Sequence, residues 1–220
     1  MPPTALLLVF SEPGDNVPLP EFHDWYDNEH VPLRVDTPAF LSWARVEEVD
    51  GKSPRWGAYY DLTSYDDTQK APYTTLAETR SEREKSILFV RAKHFQRRTY
   101  EVYEGASILP PSPLFDPNSS APVVIFRSLE VKPEAEEDFH KWINEEHIPL
   151  LSKCPGWIRS RRFVLRESAK VGVDGPDPNP PPKYLAIHEW TDLEGIESAE
   201  FKKAIDTEWR SRVMANVGKT

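Results

Sequence analysis

The chain repeats itself, and that repeat limits its possible folds more than any other feature. FHDWYDNEHVPL, starting at Phe22, returns as FHKWINEEHIPL from Phe139, an offset of 117 residues. The offset holds through AFLSWARV and GWIRSRRF, then becomes 128 where GAYYDLTSYDD meets LAIHEWTDLEG. The extra 11 residues match a Pro/Gly-rich insertion in the second copy, VGVDGPDPNPPPK, which reads as a loop. Between the copies runs ILPPSPLFDPNSSAP, five prolines in 15 residues, which is a stiff linker composition. Duplication on this scale predicts two copies of one supersecondary unit, residues 1–107 and 122–220, joined by a linker over 108–121.

Each copy reads as strand, helix, strand, strand, helix. The first adds a fourth strand at Gln96–Glu104, giving the βαββαβ order of a ferredoxin-like unit. Carried over at an offset of 128, the last strand of the second copy falls near 224–232. That lies past Thr220, so this strand is expected to be missing. The expected fold class is α+β.

Composition narrows the function classes. The chain has 27 Lys and Arg against 36 Asp and Glu, a net charge of −9. No basic cluster stands out, so neither nucleic acid nor an anionic membrane is expected as a partner. The longest apolar run, Ala5–Phe10, is far below the ~20 residues that span a bilayer, and it lacks the flanks of a secretory leader. The single cysteine, Cys154, excludes an intrachain disulfide and a thiolate metal cluster. A reduced, cytoplasmic protein is the expectation.

The repeated helix carries the chemistry-bearing residues. On a wheel of 100° per residue anchored at Phe22, Glu29 falls at about 340°, inside the apolar stripe of Phe22, Trp25, Tyr26 and Leu33. His30 and His23 fall at about 80° and 100°, on one flank. Glu146, His147 and His140 repeat this placement. A carboxylate on a buried stripe is costly unless paired or facing a polar cavity. Two readings stay open. In one, the glutamates are helix-end locks ahead of Pro32 and Pro149, with the histidines favourable to the helix dipole. Alternatively each Glu-His pair forms the polar tip of an apolar pocket, with imidazole suited to proton transfer near neutrality.

Strand positions Tyr60 and His188 correspond, each followed by an acid, Asp61 or Glu189. They are possible acid/base or orienting partners, although alternation alone does not say which sheet face they occupy. His23 and His30 are seven residues apart, as are His140 and His147, which is about 10.5 Å of helix rise and too far for one metal ion. No nucleotide-binding or serine-hydrolase signature occurs. No cofactor and no metal is therefore expected.

With W-x3-EH-x-P present twice, and GAYYDL and YLAIHEW as strands, the chain resembles the EthD-like dimeric α/β-barrel superfamily. More narrowly, it is similar to fungal-type members carrying two such domains in tandem. The resemblance implies two sheets packed face to face as an intramolecular barrel, so a monomer becomes possible. It implies pockets between sheet and helices. It also implies cofactor-free chemistry of the polyketide cyclase, isomerase, dehydratase or decarboxylase type, or quinone-forming monooxygenation. Glu29, His30, Glu146 and His147 are the positions that carry over, with Tyr60 and His188 less securely.

The leading expectation is a lyase- or isomerase-type enzyme of secondary metabolism acting on a small hydrophobic, carbonyl-rich or phenolic substrate. An imidazole would remove a proton and a second polar group would hold the enolate. A non-catalytic binding protein and a cofactor-free oxygenase are the competing readings. Because His188 stands where Tyr60 does, the second copy, with Glu146, His147 and His188, is expected to be the active one.

Overall fold

The computed structural model describes residues 2–105 and 109–220, so the first position of the expected linker, 108, lies outside the described residues. It forms two compact units, Met1–Glu101 with Leu165–Pro181, and Val102–Val164 with Pro182–Thr220. Among the described residues no helix is long and apolar enough to cross a membrane.

The first unit begins with β1 (Ala5–Glu12), whose ALLLV run makes it a central strand, flanked antiparallel by β3 (Trp56–Leu62) and β4 (His94–Val102). Pro18 and Pro20 set the start of α1 (Leu19–Trp25), since proline fits a first helical turn that needs no N–H donor. A π-helical turn, Tyr26–His30, leads into α2 (Val31–Val35). β2 (Phe40–Glu47) and β3 (Trp56–Leu62) pair next, with a bulge between Phe40 and Ser42. Ser81 then caps α3 (Glu82–Ser86), and β4 (His94–Val102) follows a second π-helical turn, Ile87–Arg91. Along the sheet the order is β2-β3-β1-β4, the ferredoxin-like arrangement. Ala5, Leu7, Val9, Ala58, Tyr60 and Leu62 pack from the sheet against Phe22, Trp25, Tyr26 and Ile87. Each fully buried ring there is worth roughly 1.5–3 kcal/mol.

The second unit repeats the plan. β5 (Val123–Val131) precedes α4 (Glu136–Trp142), a π-helical turn at Ile143–His147, and α5 (Ile148–Leu151). β6 (Trp157–Val171) and β7 (Tyr184–Trp190) pair antiparallel from Trp157↔Trp190 to Val164↔Tyr184. Three short helices follow, α6 (Glu194–Glu197), α7 (Ala199–Ala204) and α8 (Glu208–Met214). The single last helix expected of the second copy is broken because Ser198 and Thr207 each cap a new start.

The expected absence of a last strand is corrected. β8 (Val217–Lys219) pairs with β5 through Val131↔Val217 and Glu130↔Lys219, completing the order β6-β7-β5-β8. The fixed offset misplaced it because the connection from β7 to β8 is shorter than that from β3 to β4.

The insertion of the second copy belongs to the first unit. Val173 and Asp174 donate backbone bonds to the carbonyls of Ala92 and Lys93, and Asp177 accepts from Gln96 at 2.7 Å. Gly172, at φ +119°, permits this approach, since a Cβ there would sit 2.6 Å from the Lys93 carbonyl.

Candidate functional site

The π-helical turns decide where the repeated Glu-His pairs point. A wheel of 100° steps assumes an α-helix, but a π turn inserts one extra residue into the winding. That turn follows the first apolar anchors and ends on the Glu-His pair in both copies. The later positions are therefore wound back by about one residue. The glutamate leaves the apolar stripe and the histidine takes its place. This corrects the flank position expected for His30 and His147.

Both glutamates are drawn to the cap of a neighbouring helix. Glu29 accepts a short hydrogen bond from Ser81 Oγ, the cap of α3. Glu146 accepts from Thr207 Oγ1 at 2.6 Å, the cap of α8, and from Trp142 Nε1 at 3.2 Å. They hold two helices together, and Glu146 does not line the cavity of His147 and His188. The expected three-group pocket is thus reduced to two of its members.

A second conserved device of the duplication uses the other histidines. Arg45 Nη2 donates to His23 Nδ1 at 2.9 Å, and Arg162 Nη2 donates to His140 Nδ1 at 2.5 Å. Arg45 also binds Asp27, and Arg162 binds the matching Asn144. Burial, then the Arg162 charge, pushes His140 down to about 4. His23 and His140 are thereby acceptors that tie helix to sheet.

In the first unit the inward histidine is closed off. His30 is 6% exposed and lies against Trp25 and Tyr26, with ring centroids 4.6 and 5.0 Å away. Its Nδ1–H donates at 3.0 Å to Glu84 Oε1, and Glu84 is 1% exposed. Arg34 and Arg80 each stand 3.7 Å from the same oxygen. Burial pushes His30 down to about 4, so the imidazole is neutral at pH 7. Burial opposes charge on Glu84, but His30, Arg34 and Arg80 together hold its pKa below the ordinary range. Tyr60 Oη donates to Tyr26 Oη at 3.4 Å, and burial raises the Tyr60 phenol well above its usual pKa. Rings fill this interior.

The second unit is different. His147 and His188 both face a cavity of about 110 Å³ between sheet and helices. Their ring centroids are 5.7 Å apart and their planes stand at 85°. Strand register puts His188 beside Ile125 and Ser160 on the helix-facing side, answering the question that alternation left open. Glu189, next in sequence, faces the other way and pairs with Arg159 at 2.6 Å and Arg161 at 3.0 Å. Asp61 likewise accepts from Ser42, on its own sheet.

The two imidazoles are held differently. Ser160 Oγ sits 2.8 Å from His188 Nδ1 and accepts from Trp157 Nε1 at 3.1 Å. His147 stacks on Trp142, centroids 4.5 Å apart at 25°, and its ring hydrogen-bonds the Ala204 carbonyl. The His147 Nδ1 atom is buried without a hydrogen-bond partner among the described residues. Burial pushes His147 down to about 4, the Ala204 bond opposing and the charges of Arg210 and Arg127 adding to the fall. Burial takes His188 to about 3, with His147 and Arg162 contributing. Both rings are neutral at pH 7, and His147 presents a bare lone pair.

Two lining residues were not legible in the sequence motifs: Arg127 on β5 and Arg210 on α8. Among the described residues neither is ion-paired with a carboxylate. A signal for Arg210 did exist, since it stands three places after the cap Thr207 as Glu84 does after Ser81. The offset between those caps is neither 117 nor 128, so a fixed-offset comparison passes over it. Among the described residues no group of three or more His, Cys, Asp or Glu is placed to hold a metal ion.

No protein-family profile matches the chain, and no curated protein sequence matches it. Solved structures do share its fold. One, described as an anthrone oxidase-like protein, superposes with a TM-score of 0.60 at 14% identity, covering 100% of this chain and 88% of that one. Another, a candidate monooxygenase from Fusobacterium nucleatum subsp. nucleatum, gives a TM-score of 0.52 at 11% identity, covering 99% and 88%. These likenesses, at 14% and 11% identity, establish the mixed α+β fold alone.

Proposed function

We propose that the second unit is a small-molecule enzyme that works by general acid/base chemistry at His147 and His188. The observation carrying this reading is the buried, unpartnered Nδ1 of His147 at a cavity shared with His188. With the proton of the neutral ring on Nε2, the unpartnered Nδ1 is the acceptor. It takes a proton from an acidic C–H or O–H of a substrate held in the apolar walls of Trp142, Ile143 and Trp190. His188, oriented by Ser160, supplies the second polar contact to the resulting enolate or phenolate. Cyclisation, dehydration, isomerisation and decarboxylation all pass through such an anion. The first unit, whose His30 is occupied by Glu84, serves as scaffold.

A second reading is favoured by the fold neighbours, an anthrone oxidase-like protein and a candidate monooxygenase. The same anion would meet dioxygen, a ring CH₂ becoming C=O as O₂ gains that carbon's two hydrogens and leaves one oxygen behind, releasing one water.

Exchange of an enolisable aryl ketone in D₂O, followed by NMR, tests the acid/base step. The wild type should exceed His147→Gln by about 10²–10⁴-fold. Equal rates would remove the proposal. Product analysis with and without oxygen separates the two readings.

A further inference from the structure

Both glutamates of the repeat grip a hydroxyl cap, Ser81 or Thr207, and each cap accepts the N–H of the residue three places on. Those residues are Glu84, at 3.0 Å, and Arg210, at 3.1 Å. The two positions are therefore equivalent in the fold, and each stands near the inward histidine of its unit. In the first unit the Glu84 carboxylate receives His30 Nδ1–H and lies beside two guanidinium groups. In the second unit the carboxylate is replaced by a guanidinium. The matching nitrogen, His147 Nδ1, is left without a partner. A second guanidinium, Arg127, enters the same cavity from the position opposite Ala186. Burial, followed by the charge of Arg210, lowers the Arg127 pKa, so the two cations oppose each other there. The cavity has every member of the first unit's cluster except the anion.

We infer that the ligand of this cavity carries an acidic oxygen of the phenol or enol type, held as its anion by Arg210 and Arg127 where Glu84 stands in the first unit. This rests on the reading of His147 as the base. On binding, the O–H bond breaks, its proton passes to His147 Nδ1, and the oxygen keeps the electron pair. The new Nδ1–H then donates to the oxyanion as His30 does to Glu84. No oxidant or reductant enters. His147, His188, Arg127 and Arg210 are the titratable groups lining the cavity among the described residues, so no carboxylate there competes with the ligand. A cavity of about 110 Å³ is somewhat smaller than the ~150 Å³ that encloses benzene. It has room for no more than one ring, and any further part of the ligand extends past the exposed lining residues Arg127 and Ile205.

4-Nitrophenol is the probe, because its ionised form absorbs in the visible and its neutral form does not. At a pH where the free phenol is mostly neutral, the wild-type chain should bind it with the phenolate spectrum. Arg210→Gln should weaken binding by about 10- to 100-fold and return the bound ligand to the neutral form. Arg210→Lys should keep the phenolate spectrum. Arg210→Glu, which restores the first unit's carboxylate, should abolish phenolate binding and give His147 a carboxylate partner visible in its NMR titration. Nitrobenzene, neutral and of similar size, should bind all folded variants alike. Binding of neutral nitrophenol by the wild type, or equal phenolate binding by Arg210→Gln with an unchanged melting curve, overturns the inference. Arg210-dependent phenolate binding without any deuterium exchange would instead keep the anion site and remove the acid/base reading.

Discussion

Ser160 and His188 are cross-strand neighbours on β6 and β7, with Ser160 Oγ 2.8 Å from His188 Nδ1. The serine also accepts the Trp157 indole N–H at 3.1 Å, so it is itself fixed in place. His188 is therefore oriented through its δ nitrogen, which leaves Nε2 as the atom not engaged by Ser160. Ser160 is a positioning residue by this geometry. Ser160→Ala should lower turnover by roughly 10-fold and cost about 1 kcal/mol through the lost bonds. The ¹⁵N shifts of the His188 ring should move toward a mixture of tautomers, a change that a purely structural role would not produce.

The inward histidines of the two units should respond in opposite ways to removal. His147→Gln should cut turnover by about 10²–10⁴-fold and cost less stability than His30→Ala, since Nδ1 has no partner to lose. His30→Ala should leave turnover intact and destabilise the chain by about 1–3 kcal/mol, because buried Glu84 loses its hydrogen-bond donor. Initial rates and urea unfolding on both variants check the pair. Loss of turnover in His30→Ala alone would move the chemistry to the first unit.

Glu146 is expected to act on stability. Glu146→Ala removes the acceptor for both Thr207 Oγ1 and Trp142 Nε1. It should cost about 1 kcal/mol, and α8 should lose hydrogen-exchange protection at its start. Glu146→Gln, which keeps an acceptor oxygen, should recover most of the loss. A collapse of turnover in Glu146→Gln without loss of stability would return the carboxylate to the site.

Stability should fall on acidification, and the sign follows from the depressed histidines. His30, His140 and His147 are pushed to about 4 and His188 to about 3, against an ordinary value near 6.5. Between those limits the unfolded chain binds more protons than the folded one, so stability rises with pH. Their contribution is fully present above about 6.5 and is lost progressively as pH falls toward 4 and 3. Urea midpoints at pH 7.5 and pH 5 should show a clear loss. His188→Gln should flatten the slope by removing one of the four groups.

The amino-acid sequence by itself determined the duplication, the αβ order of each unit and the apolar anchors Phe22, Trp25, Phe139 and Trp142. Periodicity and repetition are local properties that survive without a fold. It also singled out His147 and His188. It placed Glu29 and Glu146 on the apolar stripe, whereas they turn to the caps Ser81 and Thr207, because a π-helical turn leaves no mark in a 100° wheel. Tertiary structure alone decided which interior is filled. Tyr26 and Tyr60 occupy the first unit's space, whereas the corresponding Ile143 and His188 leave a cavity in the second. That outcome depends on summed side-chain volumes from several elements, which no single stretch encodes. The exchange of Glu84 for Arg210 is likewise visible only once the caps Ser81 and Thr207 are superposed in space, because loop lengths between the repeats shift the numbering but not the helix start.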